Sequence, residues 1–146
     1  MRARASIHID REPHAVFARL ADFATHSSWR SEVTSTQVLG EIGVGTRLIQ
    51  HVSVQGRSAV LDIEITEFAE AERISFRSRG GLRARGGFRL EPEDGGTRVH
   101  LSATVQLNGS ASLVEDRIRT AAEAGARADL LRLKEQLEHG RQGRGG

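Results

Sequence analysis

The chain contains no cysteine. Disulfides, cysteine-ligated zinc or iron–sulfur centres and thiol nucleophiles are therefore excluded. Aromatic residues make up only 4 %, a poor supply of surfaces for stacking single-stranded bases. No apolar run approaches the roughly 18–20 residues a helix needs to cross a bilayer. The start, Met1-Arg-Ala-Arg-Ala-Ser-Ile-His, lacks the apolar core of a signal peptide. These lacks lead to the expectation of a cytoplasmic protein with no membrane span and no nucleic acid as its main partner.

Several chemistries are missing at the motif level too. His8, His14, His26, His51, His100 and His139 form no helical i,i+4 pair and no histidine–carboxylate motif, so no metal is expected. The pairs Gly43-x-Gly45, Gly80-Gly81, Gly86-Gly87 and Gly95-Gly96 never open a helix after a strand. They read as turns, or at Gly86 or Gly87 as a sheet-bending bulge, and no nucleotide cofactor is expected. There is no Gly-x-Ser-x-Gly nucleophile elbow.

What is present is arginine and alternation. Twenty of the 21 cationic side chains are arginine, yet the net charge is only +2. The sequence pI near 10.3 thus reflects arginine's high pKa more than a basic protein. A length of 146 residues with 38 % hydrophobic content suits one domain with one core.

Ala3, Ala5, Ile7 and Ile9 alternate with Arg4, Ser6, His8 and Asp10, which marks a half-buried strand. Pro13 suits the first turn of a short helix bearing Val16, Phe17 and Leu20, and a second helical turn through Asp22–Ser28 leads to Trp29. Strands are predicted over Glu32–Leu39, Thr46–Gln55, Ser58–Phe68, Arg73–Arg79, Arg83–Glu91 and Thr97–Leu107. Short glycine turns between them indicate an antiparallel meander. In the last four strands, Leu61, Ile63, Phe76, Ser78, Leu82, Phe88, Leu101, Ala103 and Leu107 share one face. Arg73, Arg77, Arg79, Arg83, Arg85, Arg89 and Arg98 share the other, beside Asp62, Glu64 and Glu91.

A final helix is predicted over about Ser112–Glu138. Its stripe runs Val114, Ile118, Ala122, Ala126, Leu130, Leu133, Leu137. The C-terminal half is leucine-rich, whereas the middle holds Ala121, Ala122, Gly125, Ala126 and Ala128. Glycine inside a helix costs about 1 kcal/mol relative to alanine. Small residues opposite large sheet residues mean either tight packing or an apolar gap, and periodicity alone leaves both open. Residues 139–146, His-Gly-Arg-Gln-Gly-Arg-Gly-Gly, read as a disordered tail after a single domain of residues 1–138.

Several local words in their order resemble one family. They are Ile9-Asp-Arg-Glu-Pro-His-Ala-Val-Phe-Ala-Arg-Leu-Ala-Asp-Phe, then Trp29, Gly43-Val-Gly45-Thr-Arg and Val54-Gln-Gly56-Arg. Ile65-Thr-Glu-Phe, Arg73-Ile-Ser-Phe, Gly95-Gly-Thr-Arg-Val and the closing Leu130-Leu-Arg-Leu-Lys-Glu-Gln-Leu follow. Over residues 3–138 the chain resembles the START-like, helix-grip superfamily, and within it the bacterial polyketide cyclase/dehydrase-type (SRPBCC) domains. Many relatives carry a proline shortly before the tryptophan, where this chain has His26-Ser27-Ser28. The resemblance implies an α+β helix-grip fold, β-α-α-β6-α, with a curved antiparallel sheet around a hydrophobic cavity closed by the long helix. It favours the gap over tight packing.

The expected cavity residues are Trp29, Gln50, Leu61, Ile63, Phe76, Ser78, Phe88, Leu101, Ala103, Ala121, Ala122 and Gly125. Gln50 and Ser78 would orient a ligand, and Ser35 and Gln37 are further inward polar candidates by parity. Trp29 fits both a pocket entrance and a core plug. Neither Gln nor Ser is a general base at neutral pH. His26 and His51 are the remaining titrating candidates, each read as a surface histidine, with His51 outward. The first functional reading is a carrier or sensor of a small apolar or amphipathic molecule, lipid-, polyketide- or isoprenoid-like. The second is a cyclase or dehydratase acting in the same cavity. The third is a module that docks a protein partner on the outer arginine face. No catalytic residue is assigned.

Overall fold

A computed structural model describes residues 1–54, 56–80, 83–106 and 112–139, with side chains from Glu115 onward in the last stretch. Leu82, Leu107, the side chain of Val114 and the predicted tail from residue 140 lie outside the described residues. Strand β1 (Arg2–Ile9) leads to helix α1 (Pro13–Ala21) and a 3₁₀ helix over Phe23–Ser28. Strands β2 (Val33–Leu39), β3 (Arg47–Val54), β4 (Arg57–Ala69), β5 (Arg73–Ser78), β6 (Ala84–Glu93) and β7 (Gly96–Val105) follow, and helix α2 (Ser112–Glu138) closes the order. This is the α+β helix-grip arrangement.

The seven strands form one sheet in the order β1-β7-β6-β5-β4-β3-β2, antiparallel throughout. Alternating apolar and polar side chains dictate which face is buried. Asp94 and Gly95 both take positive φ between the paired residues Glu93 and Gly96. That geometry matches the twist of the hairpin, and glycine adopts it without a Cβ penalty. Helix α1 begins on Pro13, whose missing N–H is harmless in a first turn, and buries Val16, Phe17 and Leu20. Its Phe17 meets Phe68 edge-on, with ring centroids 5.2 Å apart.

Two sequence expectations are corrected by the register. Gly86 and Gly87 form no bulge, since β6 pairs without interruption on both sides. The irregularities lie between Val33 and Ser35 and between Ile65 and Glu67. The first one shifts the parity of β2. Thr36 and Val38, opposite Gln50 and Leu48, face inward, while Ser35 and Gln37 face out opposite His51 and Ile49.

No helix among the described residues is long and apolar enough to cross a membrane. Helix α2, with 27 residues, lies along β1. Its side chains hold the edge strand's backbone. Arg4 N donates to Glu123 Oε2 at 2.8 Å and Asp10 N donates to Glu138 Oε2 at 2.7 Å. Arg119 Nε and Lys134 Nζ donate to the carbonyls of Arg2 and His8. These bonds satisfy backbone groups that an edge strand would otherwise present to a foreign strand.

Candidate ligand cleft

The two halves of α2 meet the sheet differently. Leu130 and Leu133 are completely buried in the main core with Ile7, Phe23 and Leu48. Along the same stripe toward the N-terminus, Ala126 is half-buried, Ala122 is exposed and Ile118 is 40 % exposed. A Cβ built on Gly125 would meet nothing within 4 Å. The apolar face of the helix thus passes from sealed to open within about four turns.

The sheet mirrors this gradient. Ile63 and Phe88 are buried; Leu61, Phe76, Ser78 and Leu101 are half-buried; Ala103 is exposed. On the helix, Ala121, Ala122 and Gly125 are all exposed. The expected cavity residues therefore divide into a closed end and an open end. Trp29 belongs to the closed end, with its ring 6.0 Å from that of Phe88 and 5.0 Å from that of His26. Its Nε1 is buried and has no hydrogen-bond partner among the described residues. Gln50 is also buried, and its Nε2 donates to Thr36 Oγ1 at 3.3 Å. Ser78 Oγ accepts from the backbone N of Ala84 at 3.0 Å, so it helps close the β5–β6 hairpin.

His26 corrects the expectation of a surface histidine. It is fully buried and stacked on Phe23 at 4.3 Å. Its Nε2 lies 2.8 Å from the carbonyl of Leu20 and its Nδ1 lies 3.3 Å from Arg30 Nη1. These neighbours assign the tautomer: Nε2–H donates to the carbonyl, and Nδ1 accepts from the guanidinium. Burial first, then the charge of Arg30, push its pKa down to about 3. Both nitrogens are occupied, which removes His26 as a proton shuttle. Burial likewise lowers the pKa of Arg30, against the opposing pull of Asp129 and Glu32. His51 is exposed on the outer face, paired across the sheet with Val60.

Among the described residues, the one titratable side chain on an inward strand position is Arg57, at the exposed hairpin end of β4 opposite Val54. The inward neutral polar groups are Thr36, Gln50, Ser78 and Thr97, and Thr97 is committed to the carbonyl of Arg11 at 2.7 Å. Among the described residues no group of three or more His, Cys, Asp or Glu is placed to hold a metal ion. The inner face presents apolar side chains with a few neutral polar groups among them. Among the described residues its strands offer no acid–base pair.

Residues 1–138 match the family model described as "Polyketide cyclase / dehydrase and lipid transport". The chain belongs to this family. Among solved structures, the polyketide cyclase/dehydrase-type domain is similar to TTHA0849 from Thermus thermophilus. The two share 24 % identity and a TM-score of 0.79, over 94 % of this chain and 97 % of that one. It is also similar to the Zhui aromatase/cyclase from a Streptomyces species, at 18 % identity and a TM-score of 0.75, over 94 % and 93 %. A START superfamily protein from Mycobacterium smegmatis matches at 16 % identity and a TM-score of 0.65, over 89 % and 98 %. At these identities the likeness is one of fold. A comparison with curated protein sequences yields no match.

Sequence reasoning misses two residues of this site. Thr36 is hidden by the β2 irregularity, for which Val33-Thr-Ser-Thr-Gln gives no glycine signal. Arg30 reads in the sequence as one more scattered arginine. Its position four residues after His26 is the only clue.

Proposed function

We propose that this family member binds a small apolar or amphipathic molecule between the inner sheet face and the N-terminal half of α2, as a carrier or sensor. The observation that supports this reading is the change along one helical stripe, from fully buried Leu130 to 40 % exposed Ile118. A tight-packing role for Ala122 and Gly125 would require sheet atoms against them. A lipid-, polyketide- or isoprenoid-like ligand would lie against Leu61, Phe76, Leu101 and Ala103. Gln50 and Thr36 would meet a polar group at the closed end. The family's name also covers cyclases and dehydrases. With no inward strand carboxylate or histidine among the described residues, such an activity would rest on positioning a reactive chain.

Nile red, an uncharged apolar dye, tests the site. Ala122→Phe fills the cleft from an exposed position, so the core is untouched. The expected outcome is at least tenfold weaker dye binding with an unchanged melting temperature. Leu131→Gln, which removes an exposed leucine off the stripe, should bind the dye as the parent does. Equal binding by the parent and Ala122→Phe would refute the cleft.

A further inference from the structure

We propose that the outer face of the sheet is a second ligand site, a basic cradle for a compact solute carrying two or more phosphate groups. A concavity of about 970 Å³ lies over outward positions of β1, β5, β6 and β7, within the range of small-molecule sites. Its cationic lining is Arg2, Arg4, Arg73, Arg77, Arg85 and Arg89, and its single carboxylate is Glu67.

The register arranges these charges in rows. Arg77, Arg85, Thr104 and Arg2 stand side by side on four adjacent strands. Arg73, Arg89, His100 and Ser6 form a parallel row. Between them run Ser75, Gly87, Ser102 and Arg4. A Cβ on Gly87 would stand 2.4 Å from the Ile74 carbonyl oxygen, so the close approach of the strands keeps the middle of the floor bare. Arg85 and Arg89 are four residues apart, about 13 Å along a strand. Long arginine arms from both rows can converge on separate phosphates of one ligand, flanked by the Ser102 hydroxyl, while the Ser75 hydroxyl donates to Glu67 Oε1 at 2.6 Å.

A merely solvated face does not explain this placement. Arg77 lies directly opposite Arg85, and Arg73 directly opposite Arg89. Like charges in such pairs weaken a sheet. Arg73, Arg77 and Arg89 have partial relief from Glu67, Glu64 and Glu91, at 3.7, 3.2 and 3.6 Å. The side chains of Arg2, Arg4 and Arg85 have no ion-pair partner among the described residues. Guanidinium groups and hydroxyls are the phosphate-recognising set. The outward positions of these four strands hold no Phe, Tyr or Trp on which a base could stack. The concave shape suits a compact solute better than a flat membrane.

Calorimetric titration of the full chain with tripolyphosphate at low ionic strength tests the proposal. Saturable binding that weakens with salt is expected, with orthophosphate at least tenfold weaker because it reaches one row only. Arg85→Gln should weaken tripolyphosphate at least tenfold and leave the melting temperature equal or higher, since a like-charge contact is relieved. Arg57→Gln, an exposed arginine away from the cradle, should change nothing. Absence of saturable binding overturns the site, and so does equal loss in Arg57→Gln. Orthophosphate as tight as tripolyphosphate overturns the two-row reading. Tighter binding of a short oligothymidylate than of tripolyphosphate overturns the compact-solute reading in favour of nucleic acid. Nile red binding should be unaffected by Arg85→Gln, which separates this site from the apolar cleft.

Discussion

At the scale of single residues, His26 shows how packing decides chemistry. Its neighbours Phe23 and Trp29 lie three residues to either side along a 3₁₀ segment, and side chains at i and i+3 eclipse in that helix. The three rings therefore share one edge, and that edge is the buried one. This spacing is legible in Phe23-Ala-Thr-His26-Ser-Ser-Trp29, but only to a search for a period of three, which α-helical and strand periods both pass over. The consequence is a pH dependence of stability. Above the ordinary histidine pKa of 6.5, both the folded and unfolded chains hold His26 neutral and its contribution is intact. Between 6.5 and about 3 the unfolded chain binds one more proton at this residue than the folded chain does. Stability is lost as pH falls through that window, at up to about 1.4 kcal/mol per pH unit from this residue. Urea unfolding of the parent and of His26→Gln at pH 7.5 and pH 5 should show a smaller acid loss in the variant. Equal losses would mean that His26 titrates normally in the fold.

At the scale of elements, α2 carries the contrast between what its pattern foretells and what only the assembled fold decides. The leucine steps at 130, 133 and 137 and the alanine–glycine middle are visible in the chain. So is the alternation that separates Leu61 and Phe76 from Arg77 and Arg85. Whether that alanine–glycine stretch packs tightly or stands open is not legible in the periodicity, because that depends on where β1 and the 3₁₀ segment anchor the helix. Nor is the parity of β2, since an irregularity inverts facing without any marker residue. Two substitutions read the helix directly. Leu133→Ala removes a fully buried side chain and should cost about 2–5 kcal/mol. Gly125→Ala should add about 1 kcal/mol of stability, because alanine favours the helix and a Cβ there meets nothing within 4 Å. Both are checked by denaturant midpoints. A destabilised Gly125→Ala would show that something does approach that glycine closely.

At the scale of the whole molecule, one sheet serves two opposed solvents. Its inner face is apolar and partly roofed by α2; its outer face is polar and locally basic, although the net charge is only +2. The roof is held most firmly at its C-terminal end. There Arg132 Nε donates to the Trp29 carbonyl at 3.0 Å and Gln136 Nε2 to the Ser28 carbonyl at 2.8 Å, above the buried leucines. Among the described residues, the N-terminal half is tied to β1 through Glu123 and Arg119 and to the Met1 ammonium through Glu115. Local opening follows the least buried apolar area. Amides of residues 116–125 should therefore exchange with solvent well before those of 130–138 in native-state hydrogen exchange. A molecule bound in the cleft stabilises only conformations that retain the roof. Saturating Nile red should then slow exchange in 116–125 selectively, while tripolyphosphate on the outer face should leave that segment unchanged. Uniform protection along α2 without ligand would mean that the roof opens as one piece. The graded burial of its stripe would then have no counterpart in its dynamics.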